Sequence, residues 1–562
     1  MEKISRPIER RSFLKGAASL GAAVGLGSLV ACGGNPQASE PNAKSSSASD
    51  KKRSWETAPD AIAESEISET IEADVVVVGA GMAGMASFMY AAETGARTVL
   101  IEKTSSYNGR GLDFAAVDTR VQREAGIAID KGKLVDDLVK SSGYKANGSL
   151  IKLWADHSGE IFDRLIDMTE SDGGQVTLGS GSSASADAED FTTRTYPTDH
   201  MFGGLVEGPL ALIGRMEAAG KESDGQVLYD TKAEQLVKDD SGKVVGVVAS
   251  KKDGSYLKVN ASKGVILATG DYGNNPEMVE EWCPLVKNAE GSVYPNPDVN
   301  VGDGINMALW AGGTVQSGSH AAMVHPIFGG GAMSTASFLK VNSNGKRFCN
   351  ENTTLPGISN MYMTSPDRVV WSIFDADFEE QMAKMSALSN YNNNTAGPLT
   401  KYFSEGKMDP ANPGSPTDVV NLCLDEGTTV KADTIEELAA AIGVPGESLA
   451  ETIERYNELV ELGTDEDFGK DAADLQPIKT APFFASSLTA KVLVIASGLN
   501  VNDQMQVLGE DDAPIDGLYA VGNVMGNFFA NDYPICAPGL SHGRCLTLGA
   551  LLGNAVATEA KL

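Results

Sequence analysis

The sequence predicts an α/β fold with a parallel sheet, and three observations carry that prediction. Asp74-Val75-Val76-Val77-Val78 is a β-branched apolar run, the pattern of a strand buried on both faces. Gly79-Ala80-Gly81-Met82-Ala83-Gly84 follows it directly, and a helical stretch runs from Met85 to Glu93. Gly95 stops that helix, and Thr98-Val99-Leu100-Ile101 makes a second strand ending at Glu102. Strand, glycine run, helix, strand and acid in this order define a unit that binds a dinucleotide. Gly79 permits the tight turn. Gly81, with Met82 beside it, brings the backbone to the pyrophosphate. Gly84 lets the helix lie close to the strand, and Glu102 is placed to bind ribose hydroxyls.

Composition narrows the partners. The 562 residues suggest two or three structural units. Hydrophobic residues at 42% and charged residues at 22% are those of a globular protein, not a disordered chain or a coiled coil. The formal net charge of −31 repels phosphate backbones, so no nucleic acid is expected, while a cationic protein partner is allowed. Six cysteines are too few for a disulfide scaffold. No C-x-x-C occurs, so no haem is attached covalently. Besides Cys32, the thiols are Cys283, Cys349, Cys423, Cys536 and Cys545. Four of them could hold an iron–sulfur cluster if the fold gathered them. Scattered buried thiols are the expectation, with no metal site.

The N-terminus carries an address. Arg10-Arg11-Ser12-Phe13-Leu14-Lys15 precedes an apolar run from Gly16 to Ala31, the layout of a secretory signal. The R-R-x-F-L-K pattern resembles a twin-arginine export signal. Leu29-Val30-Ala31-Cys32 resembles a lipobox, which makes Cys32 the expected lipid anchor. Residues 1–32 are thus read as signal. Residues 33–70, rich in Ser, Ala, Pro, Lys and Glu, are read as a flexible linker. The expected location is the extracytoplasmic face of the cell membrane.

Further glycine-bearing elements recur along the chain. Lys263-Gly264-Val265-Ile266-Leu267-Ala268-Thr269-Gly270 is a buried strand ending in A-T-G, and Gly302-Asp303-Gly304 opens a helix. Gly517-Leu518-Tyr519-Ala520-Val521-Gly522-Asn523 is another strand leading to glycine. Between them stand Gly345-Lys346-Arg347-Phe348, Asn350-Glu351, Lys431 to Leu438, Arg455-Tyr456-Asn457-Glu458 and Asp465-Glu466-Asp467-Phe468. Together these resemble the FAD-dependent fumarate reductase and succinate dehydrogenase flavoprotein family, over about residues 71–562.

The resemblance implies a discontinuous Rossmann-like FAD-binding domain, residues 71–318 and 497–562, with an inserted α+β capping domain, residues 319–496. It implies FAD contacts at Gly79, Gly81, Met82, Gly84, Glu102, Lys103, Gly109, Gly111, Thr269, Gly270, Asp303, Asn523 and Leu546. The family usually has G-G-x-[ST] where this chain has Asn108-Gly109-Arg110-Gly111-Leu112, so Arg110 or Asp113 takes the place of the hydroxyl. Backbone amides near Arg544 to Thr547, at the start of the last helix, would face the flavin.

The substrate side departs from fumarate reductase. His325-Pro326 matches a family histidine. The cap arginine that donates a proton in that family falls at Leu355, and a second histidine falls near Val494. The C-terminal N-R-L-G-G pattern is replaced by Asn531 to Gly539, so a dicarboxylate would lose three clamps. Tyr-Pro followed by Pro-Gly resembles the flavin-dependent 3-ketosteroid dehydrogenases instead. There a tyrosine hydroxyl and a glycine amide hold a ketone oxygen, roles that Tyr533 and Gly539 would take, with three inserted residues between the pairs. Arg544 could bind a substrate carboxylate, and His542 could shuttle a proton. Asp532, Tyr362 and Cys536 are further donor candidates.

The expected protein is therefore an exported FAD-dependent reductase of anaerobic respiration. It passes hydride to the C=C bond of an α,β-unsaturated carbonyl compound and takes electrons from a membrane-bound cytochrome. It resembles the reductases related to urocanate and cardiac-glycoside reductases. A ketosteroid-type flavin dehydrogenase, or a flavin redox carrier without a small-molecule substrate, stands as the alternative.

Overall fold

A computed structural model describes residues 52–109, 111–179, 191, 194–203, 207–294, 296–395, 397–408, 414–534 and 536–562. The twin-arginine segment, Cys32, Arg110 and Ile535 lie outside the described residues. Folded structure begins earlier than residue 71. Trp55, the single aromatic residue of the tether, packs on Trp282 with ring centroids 4.8 Å apart. The first strand then starts at Ile67.

That strand, Ile67–Val78, is the centre of an eight-stranded sheet. It pairs in parallel with Thr98–Ile101 on one side and with Tyr256–Leu267 on the other, in register Val78 to Ile101 and Val78 to Leu267. Gln226–Leu228 and Pro514–Ala520 extend the parallel core outward. The antiparallel hairpin Thr231–Lys238 and Val244–Lys251 branches from the Tyr256–Leu267 strand. Val75, Val76 and Val77 are wholly buried, as a strand covered on both faces requires. Pro514–Ala520 comes from the end of the chain and docks beside Tyr256–Leu267, so this sheet is assembled from distant segments.

The helix after the glycine run spans Met82–Ala92, three residues longer at its start than the sequence suggested, because Gly81 caps it. The last helix, Leu540–Thr558, crosses it. Ser87 Oγ donates to Gly549 O at 2.9 Å across the contact. This last helix starts well before Leu546, since Gly539 rather than a later residue begins it.

A second sheet is antiparallel, in the order Leu339–Asn342, Val370–Phe374, Phe483–Ser487, Thr429–Ala432. Helices such as Pro416–Glu426, Ile435–Ile442 and Gly446–Leu462 surround it. The antiparallel ribbon Ala322–His325 with Lys491–Ile495 lies between the two sheet-forming stretches in sequence. A small sheet pairs Phe114–Ala115 with Asp199–Met201, setting Ala115 opposite Asp199.

The charged motifs of the middle region meet in one buried cluster. Arg347 binds Glu351 through Nε at 2.9 Å and Asp465 through Nη2 at 2.7 Å. Lys470 Nζ lies 3.2 Å from Glu351 and donates to the Tyr456 hydroxyl at 2.8 Å. Burial raises the energy of every one of these charges, and their mutual pairing offsets it. Glu351 is held below the usual carboxylate range by Lys470 and Arg347 against the opposing effect of burial. Replacing Glu351 by Gln should therefore cost about 3–5 kcal/mol, because it strands Lys470 and half of the Arg347 fork. Urea unfolding of the variant and the parent protein measures this loss.

Candidate active site

The glycine run is built as a cradle. Gly79 has φ +109°, a conformation that L side chains avoid, and a Cβ there would lie 2.5 Å from Ala268 O. A Cβ on Gly84 would lie 1.8 Å from Gly79 O, so only glycine lets the helix sit on this turn. A Cβ on Gly81, by contrast, would meet nothing within 4 Å. The face of the turn where a pyrophosphate is expected is open, at the N-terminus of Met82–Ala92.

The other expected cofactor residues have distinct surroundings. Glu102 accepts from Ala80 N–H at 2.8 Å and from Thr104 N–H at 2.8 Å. Its carboxylate therefore fixes the glycine loop as well as being placed for ribose. Lys103 Nζ pairs with Asp303 at 2.6 Å, tying the end of the second strand to the first residue of the helix Asp303–Trp310. Thr269 Oγ1 is buried without a partner, and Gly270 follows it at φ +77°. Gly109 packs on Ile213, Gly111 packs on His542, and Leu546 is wholly buried.

Arg544 is the most unusual charge in this region. It is fully buried, and no carboxylate pairs with it among the described residues. Its guanidinium donates to Gly522 O at 2.9 Å and to Asn523 Oδ1 at 2.7 Å. It also lies over the rings of Phe528 and Phe529, at 5.5 and 4.9 Å. Its Nε has no partner, and burial pushes its pKa down. An open glycine turn at a helix N-terminus, an orphaned buried threonine hydroxyl and a lone buried cation suit an anionic dinucleotide. The residues present fit FAD.

Tyr533 stands beside this charge. It is 4% exposed, with its ring 4.9 Å from Phe529 and 6.4 Å from His325. Its hydroxyl accepts from Ser541 N–H at 3.2 Å, in the first turn of Leu540–Thr558. Burial pushes the phenol pKa up, and the Ser541 N–H and the Arg544 charge pull against it. The phenol stays protonated, and its own hydrogen has no acceptor among the described residues. Gly539 caps the same helix at φ +83°. A Cβ there would lie 2.6 Å from both Phe114 N and Ala115 N, so the Asp113–Ala115 backbone lies directly against it.

The histidines separate into different roles. His325 ends the strand Ala322–His325, its Nε2 is buried without a partner, and burial lowers its pKa to about 4. His542 donates from Nδ1 to Asp113 O at 2.9 Å and packs on Phe114 at 4.9 Å, which fixes its ring. That bond commits the nitrogen a shuttle would use on this side. His320 is hydrogen-bonded to the Tyr272 hydroxyl at 2.5 Å and stacks on Trp282. The positions expected to carry basic clamps are apolar in fact as well as in name. Leu355 is buried at the start of the helix Leu355–Thr364, and Val494 pairs with Met323. Among the described residues no group of three or more His, Cys, Asp or Glu side chains is placed to hold a metal ion. Cys283, Cys349, Cys423, Cys536 and Cys545 are all free thiols.

One feature has no motif in the sequence. Asp113 and Asp199 come from separate segments and hydrogen-bond through their carboxyls. Burial and the Asp113 charge push Asp199 up to about 9, and burial raises Asp113 as well.

Comparison with known proteins gives this architecture its class. The pattern described as FAD binding domain matches residues 74–540, and a twin-arginine translocation signal pattern matches residues 7–27. The chain belongs to the FAD binding domain family. It is a fumarate reductase-like, FAD-dependent oxidoreductase that carries a twin-arginine export signal. It is 28% identical over 506 residues to a probable fumarate reductase of Shewanella frigidimarina, covering 85% of this chain and 74% of the relative. It is 27% identical over 557 residues to a digoxin reductase of Eggerthella lenta, covering 93% and 92%. It spans about half the length of two further relatives. The fold is also that of the 3-ketosteroid-Δ4-(5α)-dehydrogenase of Rhodococcus jostii, with TM-score 0.68 and 24% identity over 88% of this chain and 99% of the other. No helix among the described residues is long and apolar enough to cross a membrane.

Two outcomes follow from this geometry. Gly84→Val should yield protein without flavin absorbance after purification, because its side chain collides with Gly79 O; a visible spectrum decides it. Acid should also destabilise the fold through the buried histidines. His200, wholly buried, has its pKa lowered to about 4, chiefly by burial. The unfolded chain binds its proton near pH 6.5, so stability present above pH 6.5 is lost as pH falls towards 4. The loss is about 3 kcal/mol for such a group. Denaturant unfolding of His200→Gln across that range should show a flatter pH dependence than the parent protein.

Proposed function

We propose that the protein is an exported, lipid-anchored reductase that saturates an electron-poor C=C bond conjugated to a carbonyl. The observation that carries this reading is Tyr533. Its buried phenol has an uncommitted hydrogen, and its oxygen is held by Ser541 N–H beside the Gly539 turn. FAD supplies the hydride. Tyr533 and the Gly539 amide bind the carbonyl oxygen and stabilise the negative charge that develops on it when the β-carbon is attacked. Arg544 lies behind Phe529 and adds a positive field towards the same point. Leu355 and Val494, where dicarboxylate clamps are expected, favour a substrate that is neutral at that end.

In this reading residues 71–318 and 497–562 form the FAD-binding unit, and residues 319–496 form the cap. Cys32 carries the lipid at the extracytoplasmic face, a membrane-bound cytochrome supplies electrons, and the reaction serves anaerobic respiration. The twin-arginine match at residues 7–27 and the names of the reductase relatives support this placement.

Unsaturated acids, ketones and lactones tested with reduced viologen should reveal a substrate whose alkene disappears as dye is oxidised. Steroid-dependent dye reduction without a low-potential donor would instead favour dehydrogenation. Tyr533→Phe should lower kcat on the best alkene by about a hundredfold with FAD retained. Unchanged turnover sinks the carbonyl-polarising role.

A further inference from the structure

Saturating an alkene requires a proton as well as a hydride, and the acids near Tyr533 are few. The position where the family resemblance puts a proton-donating arginine is Leu355. His325 is neutral above about pH 4, so it holds no extra proton to give. His542 Nδ1–H is engaged by Asp113 O. Burial pushes the Cys536 thiol up to about 12. Burial pushes the Tyr362 phenol up. Burial raises Asp532 as well, but its Oδ1 accepts from Tyr533 N–H at 2.8 Å and no second carboxyl acts on it among the described residues, so the pair of aspartates is the stronger candidate.

We propose that Asp113 and Asp199 form a carboxyl pair that stores the proton delivered to the substrate at the Tyr533–Gly539 site. Geometry brings them there. The Asp113 backbone lies against Gly539: a Cβ on Gly539 would stand 2.7 Å from Asp113 C. Asp199 is opposite Ala115 in the small sheet, two residues along the chain from Asp113, and the two side chains are hydrogen-bonded. Asp199 is 6% exposed, and its Oδ1 has no partner. Independently, the Tyr533 phenol, 4% exposed, leaves its hydrogen uncommitted, and the Asp113 charge acts on it. A buried donor without an acceptor next to a buried acid marks a place where a third group binds. Of the titratable groups at this contact, His542 bonds the Asp113 backbone carbonyl and Tyr533 feels the Asp113 charge.

Two hydrogen-bonded carboxyls in a dry site resist ionising together, so one proton is retained near neutral pH and is given up only transiently, to a stronger base such as the enolate. Asp199, pushed up to about 9, holds it. The step balances as follows. Hydride bonds to the β-carbon, the π electrons of C=C move to form the enolate, and Tyr533 with Gly539 holds its oxygen. The O–H bond of the pair breaks, its proton bonds to the α-carbon, and the carbonyl re-forms. The negative charge passes from enolate to pair, and a solvent proton later refills it. An acid that is still protonated at pH 7 and far more acidic than a carbon acid suits this task.

This inference rests on the carbonyl-site reading above, and the test separates the two. Infrared titration of the FAD-loaded protein should show a protonated-carboxyl band that disappears near pH 9 and is missing in Asp199→Asn. With the best alkene, Asp199→Asn should lower kcat by about a hundredfold and erase the alkaline fall in the pH profile. FAD content and reduction by dithionite should remain normal. Asp113→Asn, the second variant, should show the same loss if Asp199→Asn does not fold. Absence of the band, or parental turnover and pH profile in a folded variant, overturns the proposal. A band present in a protein that reduces no alkene overturns the reductase reading, and the delivery step with it, while demonstrating the stored proton.

Discussion

The contact between Gly539 and the Asp113–Ala115 backbone is the constraint on which the rest of the site depends. Ala115 N donates to Gly539 O at 3.0 Å, and there is no room for a side chain on Gly539. This contact pins the start of the last helix. From there Ser541 N–H reaches the Tyr533 hydroxyl, His542 reaches Asp113 O, and Arg544 enters the core beside Gly522. The same helix crosses Met82–Ala92, which carries the glycine cradle. One helix thus links the glycine turn to the region of Tyr533 and Gly539. A shift of the Gly539 turn would move the Tyr533 partner, the His542 partner and the lone cation together.

Buried charges in the two halves of the molecule are handled differently. In the antiparallel-sheet region, Arg347, Glu351, Asp465 and Lys470 pair with one another, and the aromatic face of Tyr456 covers Arg347 at 5.2 Å. That arrangement answers the energy of burial within the chain itself. Around the last helix the answers are incomplete. Arg544 has backbone and amide acceptors without a carboxylate, and the two aspartates face each other without a cation among the described residues. Leaving such groups in a low-dielectric interior costs several kcal/mol each, which a fold tolerates where charge has work to do.

The cofactor half was legible because its signals are local. A strand, a glycine run, a helix and an acid follow one another within a few dozen residues, and each has a periodicity or steric signature of its own. Gly79, Gly84 and Glu102 stand where those signatures put them. The charged motifs around Arg347, Glu351 and Asp465 were legible as marks of kinship. Their mutual pairing was not, because it joins segments far apart in the chain. His542 stood in the sequence as a candidate proton shuttle; only the fold shows Gly111 and Phe114 packing on its ring. The Asp113–Asp199 pair left no signal, since Asp199 sits in a short strand with no motif around it.

The missing basic clamps change what the site must do for its substrate. A dicarboxylate brings its own charge, and fixed cations can hold it in place. A neutral conjugated carbonyl brings only a dipole, so the enzyme must supply polarisation at the moment charge appears. In the proposed reading a protonated phenol backed by a helix N-terminus and a buried guanidinium would do this, because its field exists before the substrate arrives and needs no reorganisation of water. The same dryness that strengthens this field also opposes two ionised carboxylates side by side. On the proposed reading, burial at this end of the last helix would have two effects at once: it would sharpen the electrostatic hold on an oxygen and keep a proton on an acid that would be ionised in water.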